Sequence, residues 1–323
     1  MNYGIPYTGS KNSIAKEIVD LLPTAEYFVD LFCGGCAITH AAMLSGKYNR
    51  FIINDSNAQV VQLFVDAVNG KFRNEKRWIS CDEFKSRKDS DAYIKYVWSF
   101  GNGGYSYMYG RKIEAWKKAL HYARVLGDFS LLKRDFGIVT DDASRQNIRL
   151  NAEKWGLIDK LKCSMECLQG LQSLERLKRL ERLESLERLK RLKRLERLQR
   201  LQSFSGDYQA VKIPENSVVY CDPPYNNCSA NVDKRTYCKG FDFSRFFDWL
   251  RKVDFPVFVS EYVMPEDFVA VWQKTKICTF SSRNNAKYTV ERVFVHERFV
   301  DDVRRKISGQ PELFEKSGEA VAI

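Results

Sequence analysis

Histidine is scarce in this chain of 323 residues: His40, His121 and His296 are the only three, and none falls in a motif. Imidazole-based chemistry has no anchor here, and no metal-ligating set is read. Long apolar runs are absent too. No stretch of about 18 apolar residues exists, and Met1 to Lys16 is polar without an apolar core, so neither a membrane span nor a signal peptide is expected. The nine cysteines are an odd number, which fits reduced thiols in a cytoplasmic protein better than a disulfide framework.

What is present supports a sizeable fold. A hydrophobic content of 44% over 323 residues suffices for one large α/β domain with a smaller one inserted. The net charge of +11 suggests an anionic partner, but it is unevenly spread. Residues 174–200 hold 11 Lys/Arg and 5 Asp/Glu, a surplus of +6 in one low-complexity stretch.

Two apolar runs, Tyr27 to Phe32 and Arg50 to Asn54, read as buried strands. Turn residues follow each, then helices over Ala37 to Leu44 and Ala58 to Val68, a βαβα pattern that predicts a parallel sheet. Val218 to Cys221 and Pro256 to Ser260 are further strand candidates; Cys278 to Ser281 and Val290 to Val295 read as an antiparallel edge pair. Between the second and third strands lie roughly 150 residues of different character, read as an insertion.

The insertion ends in a leucine ladder, in which Leu168 to Leu201 recur every third residue. An α-helix turns about 100° per residue, so this spacing winds the leucines around the whole cylinder and leaves no single apolar face. The Leu, Glu, Lys, Arg and Gln composition has high helix propensity, so a long helix packed by several partners is preferred, with a repetitive solenoid-like coil as the alternative. As a function, a basic arm on nucleic acid competes with a tolerated low-complexity expansion, and the expansion is preferred.

The most specific motif is Asp222-Pro223-Pro224-Tyr225, directly after a strand candidate. Two consecutive prolines have fixed φ and no N–H, so they hold a rigid turn where open α/β sheets place their ligands. Such a turn is often only structural. Here an acid and an aromatic flank it, and a second turn, Asp30 to Cys36 with Gly34 and Gly35, also closes a strand. Glycines allow close backbone approach, and the following helix N-terminus offers donors to a carboxylate. Asp55 lies 20 residues beyond Gly35, at the end of the next strand, where nucleoside-binding sheets carry the acid that grips ribose. The Cys33 and Cys36 pair also spells CxxC, but a thioredoxin-like context is missing.

Together, Tyr7 to Lys11, Asp30 to Cys36, Asp55 and Asp222 to Tyr225 resemble the DNA adenine-N6 methyltransferases of the Dam-like, DPPY type. The resemblance implies a Rossmann-like, S-adenosylmethionine-dependent sheet with an inserted, mainly helical DNA-recognition domain. The expected organisation is a first catalytic part at 1–72, the insertion at 73–167, the leucine repeat at 168–202, a second catalytic part at 203–304 and a tail at 305–323. By position, the resemblance places Tyr7, Lys11, Phe32, Gly34, Asp55, Asp207, Tyr208 and Asp222 around S-adenosylmethionine, with Asp55 on the ribose. Asp207 reads equally well as an ordinary turn residue after Gly206.

The chemistry implied is stabilisation of developing charge. An exocyclic amine is a poor nucleophile because its lone pair is delocalised into the ring. Acceptors from Asp222 and Pro223 would favour a pyramidal nitrogen, and Tyr225, held by Pro224, would stack on a flipped adenine. The loop Ser99 to Lys112 resembles the family's duplex-entering loop, with Asn102, Tyr105, Tyr107, Arg111 and Lys112 as DNA contacts; an aromatic-rich surface hairpin is the alternative. Double-stranded DNA is the expected partner, a cognate restriction endonuclease a candidate one, and a monomer the expected state. The rivals are transfer to another NH₂ group, such as cytosine N4 or an amide, and a non-catalytic DNA-binding relative.

Overall fold

The structure, a computed structural model, describes residues 3–139, 201–225, 240–278 and 287–308. Most of the leucine ladder, Leu168 to Leu198, lies outside the described residues. Those that are described divide into two compact units, one formed by residues 3–10 and 62–139, the other by 11–61 and everything described from 201 onward.

The second unit carries a mostly parallel seven-stranded sheet in the order β3-β2-β1-β4-β5-β7-β6. Its strands are β1 (Tyr27–Asp30), β2 (Arg50–Asp55), β3 (Leu201–Ser205), β4 (Ser217–Cys221), β5 (Val257–Glu261), β6 (Phe268–Cys278) and β7 (Lys287–His296). The five strands β1 to β5 pair in parallel, whereas β7 runs antiparallel to both β5 and β6. Parallel strands covered on both faces read as continuous apolar runs rather than alternating ones, and β5 is buried along its whole length. The edge strand β3 is the opposite case: four of its five residues are exposed.

Helices α1 (Ala15–Leu21), α2 (Ala37–Ser45), α8 (Phe243–Lys252) and α9 (Val300–Ser308) belong to this unit. α8 is amphipathic: Phe246 and Leu250 enter a core built from Val29, Ile52, Val219 and Val259. Asp242 caps it by accepting from the Arg245 N–H at 2.9 Å, and Arg251 and Lys252 meet its negative C-terminal end. α9 carries regular structure into the segment expected as a tail.

α3 (Ala58–Val68) runs from one unit into the other. The described remainder of the first unit is helical, with α4 (Cys81–Arg87), α5 (Ala92–Val97), α6 (Glu114–His121) and α7 (Ser130–Phe136). Ser80 and Asp91 cap α4 and α5 through side-chain oxygens. Trp116, Leu120, Leu132 and Ile138 form a separate small core.

The predicted strands β1, β2, β4 and β5 and helices α2 and α3 are found within a residue or two of their expected ends. Two differences stand out. Leu201, the last rung of the ladder, opens β3, a strand that patterning missed. The edge pair exists, but β6 begins at Phe268, ten residues before the expected Cys278. No described helix is long and apolar enough to cross a membrane.

Candidate active site

The strand order reverses between β1 and β4, which are neighbours although β2 and β3 lie on one side and β5 on the other. Ligands of open α/β sheets bind at the carboxyl ends of strands at such a switch point. Both motifs sit there: Asp30 ends β1 and begins the glycine turn, and Asp222 to Tyr225 leaves the end of β4.

The glycine turn reverses tightly. Gly34 and Cys36 both have positive φ, at 44° and 53°, and the Cys36 N–H donates to the Cys33 carbonyl at 2.6 Å. Asp55 clamps it: one carboxylate oxygen accepts from the Gly34 N–H and the other from the Asn57 N–H, each at 2.8 Å. Burial outweighs those two bonds and raises the Asp55 pKa. The Cys33 and Cys36 thiols are free and buried, and burial raises both their pKa values, the reverse of a reactive redox pair.

Asp30 was not singled out from the sequence. It is fully buried and accepts from the Thr39 hydroxyl at 2.6 Å through Oδ2, while Oδ1 has no hydrogen-bond partner among the described residues. Burial pushes its pKa from 3.8 up to about 7; the Thr39 bond opposes this, and the Asp222 and Asp55 carboxylates add to it.

Lys11 reaches the DPPY turn. Its ammonium lies 2.8 Å from Asp222 Oδ1 and 4.5 Å from the centroid of the Tyr225 ring, with Lys11 7% exposed and Asp222 20%. The Tyr225 hydroxyl donates to Glu291 Oε2 at 2.8 Å, and the Tyr262 ring meets Tyr225 edge-on at 4.5 Å. Burial, with the Asp222 and Glu291 carboxylates, holds the Tyr225 hydroxyl well above its ordinary pKa. Glu291 and Tyr262 were missed by sequence reasoning. The available signal was a charged residue at a buried position in the strand pattern of β7.

Phe32 and Tyr208 are brought together, with ring centroids 5.2 Å apart. Asp207 is partly exposed: Oδ1 accepts from the Gln209 N–H and Oδ2 from Arg245 at 2.7 Å, and the Gln209 bond leads in lowering its pKa. Asp207 thus caps the short helical turn Tyr208–Ala210.

Tyr7 lies in the other unit, edge-on to Tyr96 at 5.5 Å. The Ser99 to Lys112 loop of that unit is a hairpin-like turn closed by a Ser99–Tyr107 bridge. Asn102, at a positive φ of 58°, donates its side-chain amide to the Tyr96 carbonyl at 2.8 Å. Tyr107 donates to the Ile79 carbonyl at 2.6 Å and packs on Phe84 and Tyr109, so both side chains are engaged within the unit. The rings that face solvent are Phe100 at 61% and Tyr105 at 59% exposure. Arg111 and Lys112 are exposed as well.

Residues 7–134 match the D12 class N6 adenine-specific DNA methyltransferase family. No curated protein matches the chain. The matched span takes in Tyr7, Lys11, the glycine turn, Asp55 and the 99–112 loop; the DPPY turn lies beyond it. The match supports DNA adenine methylation as the activity, and S-adenosylmethionine as donor follows from the family. Among the described residues no cluster of His, Cys, Asp or Glu is placed to hold a metal ion.

Proposed function

We propose that the chain is a Dam-like, DPPY-type enzyme in which Asp222, Pro223, Pro224 and Tyr225 act on the exocyclic amine of a flipped adenine. The observation that carries this reading is the DPPY turn at the switch point, beside the glycine turn that closes β1.

Asp222 and the Pro223 carbonyl would accept the two amine N–H groups and draw the nitrogen toward a pyramidal form whose lone pair points outward. Pro224 has no N–H and a fixed φ, so the turn keeps its shape while the base enters. Tyr225 offers an aromatic face, and stacking on it is worth about 1 to 3 kcal/mol, which offsets part of the cost of unstacking the base.

The residues at the β1 end fit a nucleoside cofactor carrying an amino acid. Asp30 Oδ1 is a buried acceptor without a partner among the described residues, and the Gly34–Gly35 backbone permits close approach. Asp55 would face the ribose hydroxyls, Phe32 and Tyr208 the cofactor's rings, with Lys11, Asp207 and Asp222 around them. S-adenosylmethionine would supply an electrophilic methyl group.

For DNA, Tyr105, Arg111 and Lys112 remain the contacts of the helical insertion, joined by Phe100; Asn102 and Tyr107 would support the loop from within. A monomeric, cytoplasmic enzyme with a cognate restriction endonuclease completes the reading. It is tested by Asp222→Ala, which removes an acceptor from the amine and should slow methylation by about 10²-fold or more. A wild-type rate in that variant would remove Asp222 from the chemistry.

A further inference from the structure

Proline fixes the backbone ahead of Tyr225, but a tyrosine ring still turns about two side-chain bonds. A stacking surface needs one plane. Three side chains from other parts of the sheet unit restrain it: the hydroxyl reaches Glu291, the Tyr262 ring abuts it at 84°, and the Lys11 ammonium lies 4.5 Å from its centroid.

Glu291 is unusual for its place. It stands in β7 next to the buried run Val293, Phe294 and Val295, and is itself only 6% exposed. A carboxylate in such a position is costly unless hydrogen-bonded, and an apolar side chain would serve packing alone better. Its neighbour Arg292 donates to the Tyr262 carbonyl at 2.6 Å. Two successive residues of β7 thus hold the two aromatic residues of the site, one by its hydroxyl and the other by its backbone.

We infer that Glu291 is a positioning residue for methyl transfer, which sets the plane of the Tyr225 ring by accepting its hydroxyl proton in a charge-assisted hydrogen bond. The inference rests on the reading of Tyr225 as the surface that stacks the target adenine. Such bonds are roughly twice as strong as neutral ones, enough to select one ring orientation over its neighbours. A phenol donating to a carboxylate also carries more electron density on its face, which favours a nearby amine nitrogen as it gains positive charge.

A double-mutant cycle on the full chain tests this, reading the single-turnover rate and the KM for unmethylated DNA with a labelled methyl donor. Glu291→Ala should lower the rate about tenfold or more with little change in KM, and Glu291→Gln, which keeps an acceptor, should recover most of it. In a Tyr225→Phe background, which has no hydroxyl to hold, Glu291→Ala should add less than about twofold. Equal losses in both backgrounds, or no loss in either, overturn the inference. If Glu291→Ala does not fold, Glu291→Gln with Tyr225→Phe asks the same question: Tyr225→Phe at the wild-type rate overturns it. Tyr225→Ala at the wild-type rate instead defeats the stacking reading, and the role of Glu291 with it.

Discussion

Lys11 and Asp222, 211 positions apart in the chain, form a part-buried ion pair at 2.8 Å. On the proposed function, the amine of an incoming adenine would be a further donor to that carboxylate. Removing the lysine takes away the ammonium that lies 2.8 Å from a carboxylate only 20% exposed. Lys11→Met should therefore cost about 1 to 3 kcal/mol of stability and lower the methylation rate. Denaturant unfolding of the two proteins checks the first half; an unchanged midpoint would mean that the pair is solvated too well to matter.

On the proposed function, Asp55 has two tasks that separate experimentally. Its carboxylate holds the glycine turn through the Gly34 N–H, and it would bind the ribose as well. Asp55→Ala should weaken cofactor affinity about 10- to 150-fold, as expected for loss of charge-assisted bonds. Asp55→Asn keeps one acceptor for the turn and should lose less. A cofactor titration identical to wild type in both variants would move the ribose partner elsewhere.

Asp30 predicts a pH dependence of stability. Its pKa is raised by burial from 3.8 to about 7, so the unfolded chain releases this proton first as pH rises. Its stabilising contribution is thus complete below about pH 4 and is lost as pH climbs to about 7. Asp30→Asn, which cannot ionise, should be more stable than wild type at pH 8 by at most about 4 kcal/mol, with the difference vanishing toward pH 4. Parallel stability curves from pH 4 to pH 8 would refute the assignment.

The aromatic loop allows a clean separation of roles. Tyr105 is exposed, whereas Tyr107 donates to a main-chain carbonyl inside its unit. Tyr105→Ala should weaken duplex binding with stability intact, by up to about 1 to 3 kcal/mol if the ring stacks on a base. Tyr107→Phe should cost about 1 to 3 kcal/mol of stability, because the Ile79 carbonyl loses its donor, and leave duplex affinity nearly unchanged. The opposite pattern would return Tyr107 to the DNA surface and make Tyr105 incidental.

The contrast between those tyrosines shows what was legible in the sequence. Strands β1, β2, β4 and β5 announce themselves because buried parallel strands are apolar throughout, and the two turns are local motifs whose chemistry lies within a few residues. β3 was hidden: Leu201 continues the ladder's period, and Gln202, Ser203, Phe204 and Ser205 are exposed on an edge, so no buried pattern marks them. Glu291 lies 66 residues from Tyr225, and no local rule connects them. Likewise, loop composition cannot distinguish a tyrosine that faces solvent from one whose hydroxyl reaches the Ile79 carbonyl.

The position of the transferred methyl group tests the account most directly. Purified protein incubated with unmethylated DNA and methyl-labelled S-adenosylmethionine, followed by enzymatic digestion and nucleoside analysis, should yield label in 6-methyladenine, and Asp222→Ala should abolish most of it. Label confined to cytosine, or equal labelling of adenine by wild type and Asp222→Ala, would contradict it.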